Sequence, residues 1–442
     1  MIETKFKHTD IGLVPEDWEV KTLGQIGSFT KGSGISRAES QTGTIPAIRY
    51  GEIYTDHNDY IREFKSYITP QIALNARKIH KGDILFTASG ETKEDIGKSV
   101  AFIDDFEAYA GGDLIILSPS EDCNPVYMGY ITNSKSSQLQ KSSKGQGDAV
   151  VHIVTDEIKS IEIPFPPLSE QRRIASALMK VDALISNLDK LIAKKQAIKQ
   201  GAMQELLTGK KRLPGFKGEW KEIRLGDVAK MNSGGTPDSK NAAYYSGTIP
   251  FLSISDMSNC GKFITHTQKH ITSEAVANSS ARIYPKGTLL YAMYASLGKT
   301  SIAQIDMAIS QAILGIITDE TILDKEYLYY NLCYIESKVI QMGQTGTQSN
   351  LSKALVEEFI FTIPEVDEQK AIANVFICVD SEISVLEKKR DKYRQIKQGM
   401  MYDLLTGRIR LVETSDMERK SYTVSVQKNL FDGAIAAEPH PN

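Results

Sequence analysis

The chain has 442 residues, 41% apolar and 24% charged, with 52 Lys and Arg against 55 Asp and Glu and a net charge of -3. That is the composition of an ordinary soluble protein long enough for two to four domains, and it excludes a collagen-like or wholly disordered chain. The near-neutral sum neither points to nucleic acid nor excludes it, because a global charge can hide a basic face. No apolar run reaches the roughly 18 residues of a transmembrane helix, and Met1 to Asp10 lacks a signal-peptide core, so a cytoplasmic protein without membrane contact is expected. Cys123, Cys260, Cys333 and Cys378 are scattered with no CxxC pair, which argues against a disulfide framework and a zinc site.

In chain order, the first 165 residues mix β-branched runs (Ile45 to Tyr50, Asp83 to Thr87, Leu114 to Leu117) with glycine and polar turns and a helical patch at Val126–Thr132. Pro166 and Pro167 then stop any helix, and a long one is predicted from about 168 to 207, with Ser169 as its cap. Its apolar residues Ile174, Leu178, Val181, Ile185, Leu188 and Ile192 follow a heptad rhythm, and Gly209 stands where a helix stop belongs. A second globule follows, with runs at Ile249 to Ile254 and Ala312 to Ile317 and a helix predicted over Lys325–Gln341. After Pro364 and a cap at Asp367 comes a second heptad ladder, Ile372, Phe376, Val379, Ile383 and Leu386, closing at Gly407.

The two helices are copies. Glu170-Gln171, Val181-Asp182, Ile198-Lys199-Gln200-Gly201 and Leu206-Leu207-Thr208-Gly209 recur as Glu368-Gln369, Val379-Asp380, Ile396-Lys397-Gln398-Gly399 and Leu404-Leu405-Thr406-Gly407, at a constant offset of 198. The globules match only weakly, at Trp18 and Trp220 and at Lys81 to Phe86 and Lys286 to Tyr291. A fixed scaffold presenting two divergent heads is the architecture this implies. The division is 1–165, 166–212, 213–363, 364–412 and a tail at 413–442. The narrow seam favours the helices packing on each other over each packing on its own globule, and a two-fold relation would make the pair antiparallel. Both helices end in basic stretches, Lys190 to Arg212 and Lys388 to Arg410, which are a solvated face or follow a phosphate backbone or a partner protein.

Four Gly- and Ser-rich stretches in the heads read as mobile loops. They carry Lys31, Ser33 and Arg37; Lys141, Lys144 and Gln146; Asn232, Ser233, Thr236 and Lys240; and Gln344, Thr345 and Gln348. These are side-chain types that hold phosphates and read base edges, although ordinary surface loops share them. Catalytic motifs fail. Gly97-Lys98-Ser99 and Gly298-Lys299-Thr300 lack the earlier glycine of a phosphate-binding loop, with Thr92 and Met293 in its place. Asn124-Pro125-Val126-Tyr127 lacks the second proline of the adenine methyltransferase box. Asp367-Glu368-Gln369-Lys370 mimics part of a nuclease core but opens a helix, and His266 and His270 have no metal-ligand companions.

The run Pro166-Pro167-Leu168-Ser169-Glu170-Gln171, the heptad helix closing in Leu-Leu-Thr-Gly, the opening Ile11 to Trp18 and the run Lys81 to Phe86 resemble type I restriction–modification specificity subunits, over residues 11 to about 412. In the second copy Ile363-Pro364-Glu365 replaces the double proline. The resemblance implies an α+β chain in which two α/β target recognition domains read the halves of a bipartite, asymmetric DNA site, joined by two long helices in an antiparallel coiled coil. It implies double-stranded DNA, two modification subunits that bind S-adenosylmethionine, and restriction subunits that use ATP and Mg as partners, with no cofactor on this chain and no catalysis of its own. The repeated Glu-Gln pairs and Leu-Leu-Thr-Gly ends are expected to be the docking surface for the modification subunits. The competing readings are an enzyme such as a fused methyltransferase, for which no cofactor-binding motif is found, a structural coiled-coil scaffold, and the specificity module of another DNA methylation-based defence system.

Overall fold

The computed structural model describes residues 4–147, 150–345 and 350–411, with the backbone alone at 342–345. The expected tail at 413–442 lies outside the described residues. The chain forms two compact units, Met1–Asn187 with Arg390–Asn442, and Leu188–Lys389. Each unit therefore holds one head, the first half of the long helix after it and the last half of the other long helix.

In the first unit, strands β1 (Gly27–Lys31), β2 (Ile45–Ile48), β3 (Asp59–Tyr60), β4 (Ser66–Ile68), β5 (Arg77–Ile79), β6 (Ile84–Thr87), β7 (Ser99–Ala101), β8 (Ala108–Ala110) and β9 (Leu114–Pro119) build two sheets. One has the order β1-β9-β6-β7-β3 and the other β4-β2-β8-β5. The pairs β7 with β3 and β8 with β2 are parallel and the rest antiparallel. Every residue of β6 is buried, as expected of a central strand without polar alternation. Helix α1 (Pro125–Thr132) is capped by Asn124, with proline at its first position. It stops at Asn133, and Ser134 caps a second helix, α2 (Lys135–Lys144).

The second unit repeats this plan. Its strands are β10 (Ala229–Ser233), β11 (Ile249–Leu252), β12 (Phe263–Ile264), β13 (Lys269–Ile271), β14 (Ile283–Tyr284), β15 (Leu289–Ala292), β16 (Thr300–Ala303), β17 (Met307–Ile309) and β18 (Ile313–Thr318). They order as β10-β18-β15-β16-β12 and β13-β11-β17-β14, strand for strand the arrangement of the first head. The two heads are thus one fold carrying different side chains.

The long helices are α3 (Leu168–Leu206) and, after α4 (Lys325–Thr345) of the second head, α5 (Val366–Leu405). Both start earlier than their expected caps. The Pro167 carbonyl accepts from the Glu170 and Gln171 amides and the Glu365 carbonyl from those of Glu368 and Gln369, so exposed Ser169 and Asp367 lie inside the first turn. Gly209 and Gly407 do end their helices, at φ of 70° and 69°. The seam serves both packing partners. Ile174 and Leu178 sit in the core of the first head together with Leu404 and Leu405 of the other helix. Ile372 and Phe376 sit in the core of the second head with Met203, Leu206 and Leu207. Val181, Ile192 and Ile383 are buried as well, while Ile185, Leu188, Val379 and Leu386 are half-buried. Within the first unit, contacts on α3 rise from Glu170 to Asp182 as their partners fall from Arg410 to Lys397, so the helix halves run antiparallel. Within the second unit Lys195, Lys199 and Arg212 meet Glu382, Asp380 and Glu368 in the same sense.

Candidate functional site: head–helix junctions and loop edges

The repeated Glu-Gln pair is buried glue, which overturns its expected role as a docking surface. Glu170 and Gln171, like Glu368 and Gln369, are almost inaccessible, and Leu206, Leu207, Leu404 and Leu405 are core residues. The Gln171 side chain accepts from the Asn124 amide at 2.9 Å and donates to the Pro166 carbonyl at 2.8 Å, tying the start of α1 to the start of α3. Gln369 does the same for the Asp324 amide and the Pro364 carbonyl. Glu170 accepts from Trp18 Nε1 at 3.0 Å and from the guanidinium of Arg410 at 2.8 and 2.9 Å. Glu368 accepts from Arg212 at 2.5 and 2.6 Å. The acid is unavoidable there because its partner is the arginine just past the end of the opposite helix. Hydrogen bonding to Glu170, aided by Asp17, holds the Arg410 guanidinium above its ordinary pKa, and Arg410 in turn lowers the Asp17 carboxyl.

Twelve residues further along each long helix, about three turns, stands a second repeated acid. Asp182 accepts from Tyr130 Oη at 2.5 Å and pairs with Lys397 and Arg62, each at 2.8 Å. Asp380, its image at the 198-residue offset, accepts from Tyr330 Oη at 2.8 Å and pairs with Lys199 at 2.6 Å. Burial pulls the Lys397 ammonium down, but Asp59 and Asp182 outweigh it and its pKa is raised. The basic stretches are therefore partly internal: Lys195, Lys199, Arg212, Lys397 and Arg410 face carboxylates. Sequence reading missed Asp182, Asp380, Tyr130 and Tyr330. The signal was present, since the acid at 182 and the lysine at 199 both recur at the offset.

Of the residues expected to touch DNA, two groups come to equivalent edges. Lys31 and Arg37 are exposed and Ser33 half-buried where β1 ends, and the Ser33 amide donates to the Ala110 carbonyl at 3.1 Å. Asn232, Thr236 and Lys240 are exposed and Ser233 half-buried where β10 ends, with the Gly235 amide on the Ile309 carbonyl at 3.0 Å. A Cβ at Gly32 or Gly234 would stand about 2 Å from a carbonyl oxygen, so glycine is required at that point in both heads. The third group does not form a DNA-facing loop. Lys141 and Lys144 lie on α2 rather than a loop, and Lys141 is fully buried, donating to the carbonyls of Gly97 at 2.7 Å and Thr132 at 2.8 Å. Its ammonium caps the C-terminal end of α1, a site that favours a cation, while burial lowers its pKa to about 7. It cannot reach DNA. Lys144 pairs with Glu157 at 3.1 Å, and Gln146 is exposed with its backbone paired to His152. Gln344 and Thr345 fall on the last turn of α4, and Gln348 lies outside the described residues.

The remaining motifs are structural. Asn124 and Asp324 accept from the amides of Tyr127 and Tyr327, each at 2.9 Å, and so cap α1 and α4. Gly97-Lys98-Ser99 and Gly298-Lys299-Thr300 lead into strands β7 and β16, not into a helix N-terminus that could hold phosphate. Among the described residues no group of three His, Cys, Asp or Glu could hold a metal ion, and no helix is long and apolar enough to cross a membrane.

The type I restriction modification DNA specificity domain matches the chain twice, at residues 15–200 and 217–396. The MjaVIII specificity subunit of a type I restriction enzyme of Methanocaldococcus jannaschii is 23% identical over 429 residues, covering 92% of this chain and 97% of that one. The solved S subunit of a type I restriction–modification system from M. genitalium superposes with a TM-score of 0.57 at 15% identity, over 90% of this chain and 97% of that one. A chain solved in a study of complex assembly and conformational transition of the type I R-M system gives 0.57 at 18% identity, over 90% and 99%.

Proposed function

The chain belongs to the type I restriction–modification DNA specificity family, and from that premise we propose that each of its heads reads one half of a bipartite, asymmetric DNA site. The observation that carries this reading is the doubled junction. The same Glu, Gln, Asp, Lys and Arg contacts recur at a 198-residue offset around two heads of one fold, while the residues at the ends of β1 and β10 differ. Selection that keeps the frame and varies the edge suits a reader of two different sequences. Lys31, Ser33 and Arg37 in the first head, and Asn232, Ser233, Thr236 and Lys240 in the second, are the residues we assign to phosphate and base contact.

The methyl donor, the ATP and the metal belong in this reading to the partner subunits. Since the Glu-Gln pairs are buried, modification subunits would dock on the outer helix faces. In the second unit Leu191, Ile198, Ile377 and Val385 are exposed on the helices, and in the first Tyr402, with Ile409 exposed just beyond the end of α5. Two repeats give two such faces, hence two modification subunits per chain. A saturated complex with a one-to-one mass ratio would count against that stoichiometry.

Methylome sequencing of a host expressing the complex tests the reading. Methylation at one bipartite motif with a fixed gap supports it, and methylation at a continuous motif, or none, sinks it. In this reading the length of α3 and α5 sets the gap. Four residues inserted near Lys194 would add roughly 6 Å of helix, about one or two base-pair steps of ~3.4 Å. The half-sites should stay and the gap should lengthen.

A further inference from the structure

The two junctions differ in one charge. Strand register places Asp59 and Lys262 at the same point of the two heads. Ile84 and Leu289, which open β6 and β15, pair with Ala101 and Ile302. Those residues pair in turn with Tyr60 and Phe263 in the parallel edge strands β3 and β12. The residue before each is Asp59 in one head and Lys262 in the other.

Asp59 is held in the left-handed region, at φ 59°, and is buried. Aspartate and asparagine tolerate that conformation better than most residues, and a local cost persists only where surrounding contacts over-determine it. Here they do. One carboxylate oxygen accepts from Lys397 Nζ at 2.8 Å and the other from Asn133 Nδ2 at 3.3 Å. Asn133 reaches it because α1 breaks there, and Gly129 lets the Asp59 carbonyl approach to where a Cβ would be 1.9 Å away. Lys397, on the helix that ends in this unit, is thus gripped both by the head, through Asp59, and by α3, through Asp182.

In the second head α4 runs unbroken through Cys333, and Lys262 turns to Glu326 at 2.6 Å and to Tyr330 Oη at 3.0 Å, both on its own head. Lys199, the image of Lys397, receives Asp380 from the helix and the Tyr330 ring, 5.4 Å away. A lysine at the head position cannot attract the lysine on the helix.

We propose that Asp59 is a positioning residue: it latches the first head to the far helix and so fixes the angle of that head on the helix pair, a latch that the second head, carrying Lys262 there, lacks. The inference rests on the bipartite reading above. The test is binding of the assembled complex to duplexes carrying the two half-sites at the native gap, one base pair longer and one shorter. Asp59→Asn keeps the left-handed backbone but removes the charge. It should reduce the preference for the native gap about tenfold while leaving the preference for each half-site's bases unchanged. Lys397→Gln, made outside the head, should do the same, and the double variant should be no worse than either single one. Lys262→Gln should leave the gap preference as it is. A loss confined to overall affinity or folding stability, with the gap preference kept in both Asp59→Asn and Lys397→Gln, overturns the latch, as does an equal loosening by Lys262→Gln. If the unaltered complex shows no gap preference, the bipartite reading itself has failed.

Discussion

The junctions around Glu170 and Glu368 are built from the same residues, yet they are not equally closed. Glu170 has Trp18 Nε1, the Arg410 guanidinium and the Leu411 amide, and Arg410 is shared with Asp17. Glu368 has the Arg212 guanidinium, and Trp220 Nε1 has no partner among the described residues. Arg410 is 13% exposed and Arg212 28%. A repeated motif therefore fixes which charges meet, while the segments around it decide how dry the meeting is. Removing one partner of a buried pair strands the other charge. Arg410→Met should then destabilise the first unit by about 3–5 kcal/mol, and Arg212→Met should cost the second unit visibly less. Denaturant titrations followed by hydrogen exchange in each unit would measure both. Equal losses would break the comparison.

The tyrosines sharpen it one step down. Tyr130 and Tyr330 each donate to a helix carboxylate. Burial, and then the aspartate beside each, pushes both phenols well above their ordinary pKa, so they remain donors at any working pH. Tyr130→Phe and Tyr330→Phe should each cost roughly 1.5–3 kcal/mol, the range for a hydrogen bond to a charged group, with the tryptophan environments unchanged in fluorescence.

The broken helix of the first head makes a prediction that the second head lacks. Lys141 sits on the end of α1, whereas α4 of the second head runs on without such an end. Burial lowers the Lys141 ammonium from 10.5 to about 7, so between those values the folded chain binds fewer protons than the unfolded chain. Stability of the first unit should rise with pH across that interval, by roughly 2 kcal/mol from about pH 7 to about pH 9, and Lys141→Met should flatten the slope. Melting at both pH values checks this. The smallest effect belongs to the exposed pair of Lys195 with Glu382. Lys195→Ala should cost under about 1 kcal/mol, and less still in high salt.

The helices and their seam were legible because a heptad rhythm is local and because the second copy repeats it. The strand runs at Asp83 to Thr87 and Leu114 to Leu117 were legible because a short apolar, β-branched run bounded by turn residues is also a local signal. The identity of the two heads was not. A sheet keeps its order when buried side chains are exchanged for others of similar size, so Ile84-Leu85-Phe86 and Leu289-Leu290-Tyr291 share a place while little else matches. The pairing of Lys199 and Lys397 was hidden by distance along the chain, since each finds its acid on the other long helix. Lys141 was misread because a glycine- and serine-rich stretch looks like a loop, whereas Ser134 caps it as a helix and turns the lysine inward.

In the proposed reading one scaffold carries two heads that read DNA independently. Replacing residues 213–362 by the matching segment of a family member, then sequencing the methylome of cells expressing the complex, tests it most directly. The expected site has one new half-site, with the other half-site and the gap retained. A change in both half-sites, or an active complex that still methylates the original site, would contradict it.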